Sequence, residues 1–286
     1  GVANGRLPVD AAGGMNAMHR SISINTLCYA PAPLGILADT TARLGARGIS
    51  PDLEQVLDFK VAESARAIRD AGLAIATLTH RAFAFATPGE AGAARERLNR
   101  TIGVAAEIGA QSIIMTTGGR GALNWNEAAE AFAEAIAPCA EAANQAGIPL
   151  GIEPTSHLYA DVSIAHRLSD TVEIARRAGI AAMVDVFACW VDGNLDDALA
   201  QAAPISRVAQ ISDYVYGDRG LPCRAVPGDG AIPLERIVSG LVKGGFTGWY
   251  DLEIIGPKLQ AEGQEAGLRR AGEYIGNLLE KAGSEP

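Results

Sequence analysis

The chain has 286 residues, of which 48% are hydrophobic, with a formal net charge of -9 and a pI of about 5.0. Its length and composition allow a large buried core, and an acidic balance without Lys/Arg runs argues against nucleic-acid and anionic-membrane partners. Four widely spaced cysteines without a C-x-x-C pair indicate reduced thiols rather than disulfides or a zinc cluster, so we expect a cytoplasmic protein.

The amino-terminal segment differs in character from the rest of the chain. Residues 1–20 are rich in Gly, Ala and Asn and lack the apolar stretch of a signal peptide. We expect them to form a flexible arm, or to be a remnant of expression, ahead of a single domain at 21–286. No run approaches about 18 uninterrupted apolar residues, so no transmembrane helix is predicted.

Strands and helices are predicted to alternate along this domain. In chain order they are strand 21–27, helix 34–44, strand 45–49, helix 52–71, strand 73–78, helix 89–108, strand 111–116, helix 126–146, a strand ending at 152, helix 163–178, a strand ending at 185, helix 194–203, a strand ending near 210, helix 233–243, a strand ending near 253 and helix 259–281. Glycines between a helix and the next strand recur about every 30 to 40 residues. Eight such units favour an α/β fold with a closed (β/α)8 TIM barrel over an open doubly wound sheet. No glycine-rich phosphate loop follows the first strand, which weakens a dinucleotide-binding alternative.

Four oxygen-bearing side chains stand at the carboxyl ends of the last four predicted strands. They are Glu153, Asp185, Gln210 and Glu253. Active sites of (β/α)8 barrels lie at this end, where three neighbouring carboxylates repel one another unless a cation holds them. Carboxylate and amide oxygens suit Mg2+ or Mn2+ better than Zn2+. The alternative is that these residues end strands by chance or pair with arginines.

Several short motifs carry a resemblance to a known family. They are IEP at 152–154, VDVF at 184–187, QISD at 210–213, PGDGAI at 227–232 and GFTGWYDLE at 245–253. Over residues 21–281 the chain resembles the sugar-phosphate isomerase/epimerase superfamily, the xylose-isomerase-like TIM barrels. The glutamine at 210 is similar to the variant in hydroxypyruvate isomerases and 3-dehydroshikimate dehydratases. The resemblance implies that Glu153, Asp185, Gln210 and Glu253 bind one Mn2+ or Mg2+.

The resemblance also implies a reaction. In this family the cation holds two neighbouring oxygens of a hydroxy-carbonyl substrate and stabilises the enediolate formed when an α-proton leaves. Glu153 or Glu253 is expected to remove the proton, and the other carboxyl group returns it. Two family histidines are missing here, because Ala188 stands where relatives often carry His and His157 is displaced from the position after Glu-Pro.

Further candidates lie in the predicted loops. His80 ends the third strand and is a candidate base, or else a hydrogen-bonded structural histidine. Arg224, in the loop after the seventh strand, is expected to grip a carboxylate or phosphate of the substrate, although a surface arginine is the alternative. His157 and Trp190 are further candidates for substrate binding. His166 is predicted to lie on the surface of a helix.

The leading interpretation is a metal-dependent isomerase or epimerase of a small sugar or hydroxy-keto acid. One alternative is a lyase on the same site, such as a keto-polyol or dehydroshikimate-type dehydratase or a 3-oxo-glycoside-cleaving subunit. Another is a non-catalytic barrel that binds a sugar or a partner. The expected partner is a small carbohydrate or keto acid, with neither nucleic acid nor membrane. The resemblance also allows a homo-oligomer.

Overall fold

The computed structural model describes residues 17–284, and within them every strand pairing is parallel. The strand segments are β1 (Ile22–Asn25), β2 (Gly48–Ser50), β3 (Ala74–Ile75), β4 (Leu78–Thr79), β5 (Ile113–Met115), β6 (Leu150–Ile152), β7 (Ala181–Ala182), β8 (Val184–Asp185), β9 (Val208–Ile211) and β10 (Trp249–Leu252). They occupy eight positions around a barrel, because β3 with β4 and β7 with β8 are halves of one strand. The predicted single-domain (β/α)8 fold is confirmed.

The hydrogen-bonded ladder is interrupted at the two split strands. One sheet runs in the order β3-β2-β1-β10-β9-β8 and the other in the order β4-β5-β6-β7. Only two residues separate β3 from β4, and Met183 alone separates β7 from β8. The Met183 amide donates to the Ile152 carbonyl at 2.7 Å, so the chain stays bonded to its neighbour across the second break. Sequence periodicity gave no sign of either interruption.

Eleven α-helices of the described residues surround the strands. They are α1 (Leu34–Arg43), α2 (Leu53–Asp58), α3 (Val61–Asp70), α4 (Pro88–Ile108), α5 (Trp125–Gln145), α6 (Leu168–Ala178), α7 (Val186–Cys189), α8 (Leu195–Ala202), α9 (Leu234–Lys243), α10 (Pro257–Glu262) and α11 (Gln264–Lys281). Local chemistry fixes their ends: Asp52 and Asn124 form capping boxes at the starts of α2 and α5. Gly109 ends α4 at φ +77°, where a side chain would be strained. The part of the chain described contains no helix long and apolar enough to cross a membrane.

Three predicted helices were wrong in extent. The helix predicted at 52–71 is divided into α2 and α3 by Lys60, whose φ of +70° no right-handed helix accepts. The helix predicted at 163–178 begins only at Leu168, because the Ser163 hydroxyl accepts from the Ala165 amide and holds a turn instead. The helix predicted at 259–281 is broken by Gly263 at φ +100°. His166 therefore lies in a loop and not on a helix surface.

The main core lies between the strands and the helices. Phe132 of α5 packs edge-on against Phe83 at 5.8 Å and Phe85 at 5.7 Å between ring centroids. A smaller cluster of Ile114, Met183 and Val208, from three different strand positions, is separate from that core. Such a cluster is the interior layer expected of a filled barrel.

The predicted boundary between arm and domain falls among residues that pack on the barrel. Residues 1–16 lie outside the part described, so the flexible arm predicted for 1–20 stays a prediction there. Met18 and His19 are buried, and the Met18 amide donates to the Gly45 carbonyl at 3.0 Å. A Cβ at Gly272 of α11 would lie 2.6 Å from the Met18 sulfur, so the two segments are in close contact.

Candidate metal centre

Three carboxylates meet at the carboxyl ends of the strands. Glu153 follows β6, Asp185 ends β8 and Glu253 follows β10, and one oxygen from each lies within 4.8 Å of the others. Strand register explains the convergence, since Asp185 pairs with Gln210 of β9 and Gln210 pairs in turn with Asp251 of β10. Asp185, Gln210 and Glu253 are buried, whereas Glu153 is partly exposed. The four residues predicted from the sequence therefore stand together.

Arg224 brings a positive charge into this cluster. Its Nη1 and Nη2 donate to the two Asp185 oxygens at 3.0 and 2.7 Å, and Nη1 lies 3.2 Å from Glu253 Oε2. The side chains are 14% exposed for Arg224, 4% for Asp185 and 8% for Glu253, so water screens these ion pairs little. The guanidinium also lies over the Phe187 ring, 4.8 Å from its centroid. Arg224 thus holds two of the three carboxylates through charge-assisted hydrogen bonds.

Burial and mutual repulsion alter the acidity of the glutamates. Burial raises the pKa of Glu253 to about 8, with Arg224 opposing the shift and Asp185 adding to it. Burial also raises the pKa of Glu153 well above its ordinary value, and the neighbouring charges of Glu253 and Asp185 add to the shift. Burial opposes the charge of Arg224, yet Asp185 and Glu253 outweigh it and raise the arginine pKa. The cluster therefore carries more negative charge than one arginine balances.

The donor set fits a divalent cation. Gln210 hydrogen-bonds to Glu153, while its Oε1 is buried without a hydrogen-bond partner among residues 17–284. A buried oxygen without a hydrogen-bond donor can be satisfied by a cation, and the neighbouring carboxylates would attract one. The three carboxylates carry three negative charges when ionised; Arg224 balances one, and a divalent cation would balance the other two. Oxygen ligands alone are the chemistry of Mg2+ and Mn2+ sites.

A second hydrogen-bond network, centred on Asp251, lies next to this cluster and reaches Glu253. The Ser23 and Ser50 hydroxyls donate to Asp251 Oδ1 at 2.5 and 2.6 Å, and Asn25 Nδ2 donates to Asp251 Oδ2 at 3.1 Å. Asn25 Nδ2 also lies 3.5 Å from Glu253 Oε1, so it links the two acidic groups. Burial raises the pKa of Asp251 to about 6 against these hydrogen bonds. The sequence analysis did not identify these residues, although Ser23 and Asn25 share one face of β1 by strand alternation.

Two adjoining cavities lie at this end of the barrel. The acidic cavity, about 260 Å³, is lined by Glu153, Asp185, Arg224 and Glu253, with Thr116, Tyr159 and others around them. The aromatic cleft, about 590 Å³, is lined by His157, Leu158, Phe187, Trp190, Val191 and Tyr214, with polar residues at its edge. The cavities share the lining residues Ser156, Phe187, Leu221 and Cys223. The two cavities therefore adjoin along these four residues.

The other predicted residues are placed at different distances from the acids. His157 and Trp190 line the aromatic cleft, and so does His166, whose Nδ1 lies 3.0 Å from the Thr155 carbonyl. His80 is buried, and its Nδ1 lies 2.8 Å from the Thr101 hydroxyl of α4. His80 does not line either cavity in the described part of the chain. Its role as a base, and the substrate contacts of Arg224, His157 and Trp190, stay predictions.

Comparison with known proteins gives concordant results. The family model described as xylose isomerase-like TIM barrel matches residues 38–277. The crystal structure of protein SMc04130 from Sinorhizobium meliloti 1021 is 26% identical, covers 90% of this chain and 98% of its own, and has a TM-score of 0.81. The IolI protein with a binding zinc atom is 15% identical, covers 92% of this chain and 99% of its own, and has a TM-score of 0.79. An L-ribulose 3-epimerase is 20% identical, covers 93% of this chain and 96% of its own, and has a TM-score of 0.76. Both share the fold. No curated protein matches the chain.

Proposed function

The chain belongs to the xylose isomerase-like TIM barrel family, and from that premise we propose that it is a divalent-metal-dependent isomerase or epimerase of a small sugar or hydroxy-keto acid. One observation carries the proposal: three carboxylates lie within 4.8 Å of one another at the barrel mouth, beside Gln210, whose buried Oε1 has no hydrogen-bond partner among the described residues. Structural neighbours add support, because one is named an epimerase and another has zinc bound. Mn2+ or Mg2+ is the cation that the oxygen donors favour.

The proposed roles are metal binding by four residues, proton transfer by two of them, and substrate binding by Arg224. Glu153, Asp185, Gln210 and Glu253 would hold the cation, which when bound polarises a carbonyl and its neighbouring hydroxyl. Glu153 and Glu253 lie on different strands and both have a raised pKa, so one carboxylate accepts a proton and the other carboxyl group returns one. Arg224 donates hydrogen bonds into the same cavity and orients anionic or carbonyl oxygens of the substrate.

Metal content tests the site. After incubation with Mn2+ and desalting, the protein is expected to retain about one Mn2+ per chain by mass spectrometry. Glu153→Gln and Glu253→Gln are each expected to lower Mn2+ affinity at least about tenfold, since each removes a charged ligand. Glu130→Gln is the matched control, because the Glu130 side chain is 68% exposed on α5. A folded wild-type protein that retains no metal contradicts the proposal.

The reaction is tested separately from the metal. Ketoses, aldoses and hydroxy-keto acids are incubated with the Mn2+-loaded protein in D2O, and deuterium at the carbon next to the carbonyl is followed by NMR. Isomerisation or epimerisation incorporates deuterium without loss of water, whereas a dehydratase releases water and gives an unsaturated product. Metal binding without exchange on any substrate favours the non-catalytic binding barrel.

A further inference from the structure

We propose that the aromatic cleft binds a neutral, planar aromatic substituent carried by the substrate, so that the substrate class is an aryl-substituted keto sugar. The inference rests on the proposed function only in taking the acidic cavity as the place of the sugar. The acidic cavity, at about 260 Å³, is small, whereas the cleft lies within the range of about 300–1,000 Å³ typical of sites for larger organic ligands. The acidic cavity thus has room for a small polar group, and the adjoining cleft has room for a larger apolar one.

Aromatic rings form a continuous series from the acids to the solvent. Phe187 lies beneath the Arg224 guanidinium and contacts Tyr214 at 6.0 Å between centroids. Tyr214 contacts both Trp190, at 6.0 Å, and Tyr216, at 6.3 Å. Trp190 is inclined by 35° to Tyr214, and Tyr216 stands at 89° to it, so the series offers both ring faces and ring edges. Faces and edges together are what a further aromatic ring packs against.

The outer end of the cleft exposes apolar surface. Tyr216 is 75% exposed, Val191 67% and Leu158 64%, and Val191 and Leu158 both line the cleft. Clustered apolar exposure of this kind is unusual on a protein surface unless something covers it. Because the cleft adjoins the acidic cavity at the shared lining residues, we expect a substituent on a bound sugar to lie beside this apolar surface.

The charges of the cleft favour a neutral occupant. Two arginines, Arg167 and Arg219, and two aspartates, Asp192 and Asp218, line it, so their formal charges cancel. Asp218 is ion-paired with Lys258, and Asp192 accepts from the Leu168 amide at 2.8 Å. Arg167 and Arg219 likewise donate to protein oxygens, the Asn194 Oδ1 at 3.0 Å and the Gly217 carbonyl at 3.2 Å, so charges of both signs already have protein partners. The apolar walls therefore set the preference, and a planar hydrocarbon ring suits them better than an anion.

Ligand binding tests the inference. Affinities for phenyl β-D-glucoside, 2-naphthyl β-D-glucoside and methyl β-D-glucoside are measured by calorimetry, together with that for free 2-naphthol. The aryl compounds are expected to bind about tenfold or more tightly than the methyl glucoside. Tyr216→Ala removes a 75% exposed ring that contacts Trp190 of the cleft at 6.1 Å between centroids, and is expected to lower aryl affinity several-fold, and Trp190→Ala more. Tyr274→Ala on α11 is the matched control and should not change it.

The outcomes separate this inference from the proposed function. Glu153→Gln, in the metal site, is expected to leave 2-naphthol binding unchanged. An aryl preference without metal or turnover would keep the cleft and reject the isomerase. Turnover without an aryl preference, or no detectable binding of any aryl probe, would overturn the cleft. Sedimentation provides a further check, because a wild-type oligomer that Tyr216→Ala dissociates would make the cleft a contact between copies and would also overturn it.

Discussion

Removing the charge of Arg224 should show how the acidic cluster is held without a metal. In Arg224→Met the side chain keeps most of its length over Phe187 but loses the two hydrogen bonds to Asp185 and the contact with Glu253. Coulomb's law gives about 4 kcal/mol for opposite charges 4 Å apart at an effective dielectric constant of about 20. Breaking a buried ion pair by removal of one partner costs about 3–5 kcal/mol. Protonation of Glu253, whose pKa is already raised, limits the loss, so we expect about 3 kcal/mol near pH 7.

Urea denaturation in a chelating buffer measures this loss. Arg236→Met is the control, because Arg236 also donates to both oxygens of an aspartate, Asp196, but the two side chains are 62% and 59% exposed. Exposed pairs contribute less than about 1 kcal/mol, so the control should lose little free energy of unfolding. The comparison separates burial of the pair from its geometry.

Metal binding to the same variant supplies the second measurement. A divalent cation entering the wild-type cluster is repelled by the guanidinium, whereas in Arg224→Met it meets three carboxylates alone. We expect Mn2+ to bind the variant at least about tenfold more tightly, which corresponds to about 1.4 kcal/mol, and to restore most of its stability. The reasoning is refuted if the metal-free variant is as stable as the wild type, or if Mn2+ binds it more weakly.

Two further predictions concern stability away from the acids. Burial, with the charge of Arg97, lowers the pKa of His80 from 6.5 to about 4, so the folded protein keeps this histidine neutral. The free energy of unfolding is therefore unaffected by His80 above pH 6.5, and it falls by about 3 kcal/mol as the pH drops towards 4, because the unfolded chain binds the proton more tightly. Urea unfolding at pH 7 and pH 4.5 should therefore differ more for the wild type than for His80→Gln, and equal pH dependence would contradict this. In α4, Gly103→Ala should raise the free energy of unfolding by up to about 1 kcal/mol, since open space surrounds a helical position, whereas Gly109→Ala at φ +77° should lower it by about 1 kcal/mol. The same sign for both glycines in thermal denaturation would exclude the capping argument.

The residues of the site could be predicted because they lie at the ends of strands that the sequence itself predicts. Each of Glu153, Asp185 and Glu253 follows a short apolar run, and parallel strands of a barrel carry their carboxyl ends to one face. That rule alone brings the acids together. It also accounts for Gln210, which lies between Asp185 and Asp251 in the register.

Helix boundaries were predictable only where a local signal existed. Asp52 begins α2 because its side-chain oxygen accepts from the Glu54 amide, and the helix predicted from the sequence begins at the same residue. The break at Lys60 had no such signal, because a lysine gives no local reason for φ of +70°. The loop at 163–167 likewise depends on the Thr117 hydroxyl, which accepts from the Ile164 amide at 2.8 Å and is 47 positions away in the chain.

What the sequence by itself determined is the alternation of strands and helices and the acids at the strand ends, because both follow from period and position along the chain. The tertiary structure decided what those acids contact. Arg224 reaches Asp185 and Glu253 from a loop 39 and 29 residues away, and Asn25 reaches Glu253 from 228 residues away. The rings of Phe187 and Trp190 come from α7 and the residue after it, and those of Tyr214 and Tyr216 from the loop after β9. Such contacts depend on how the strands and loops pack in three dimensions, and no local pattern along the chain encodes that packing.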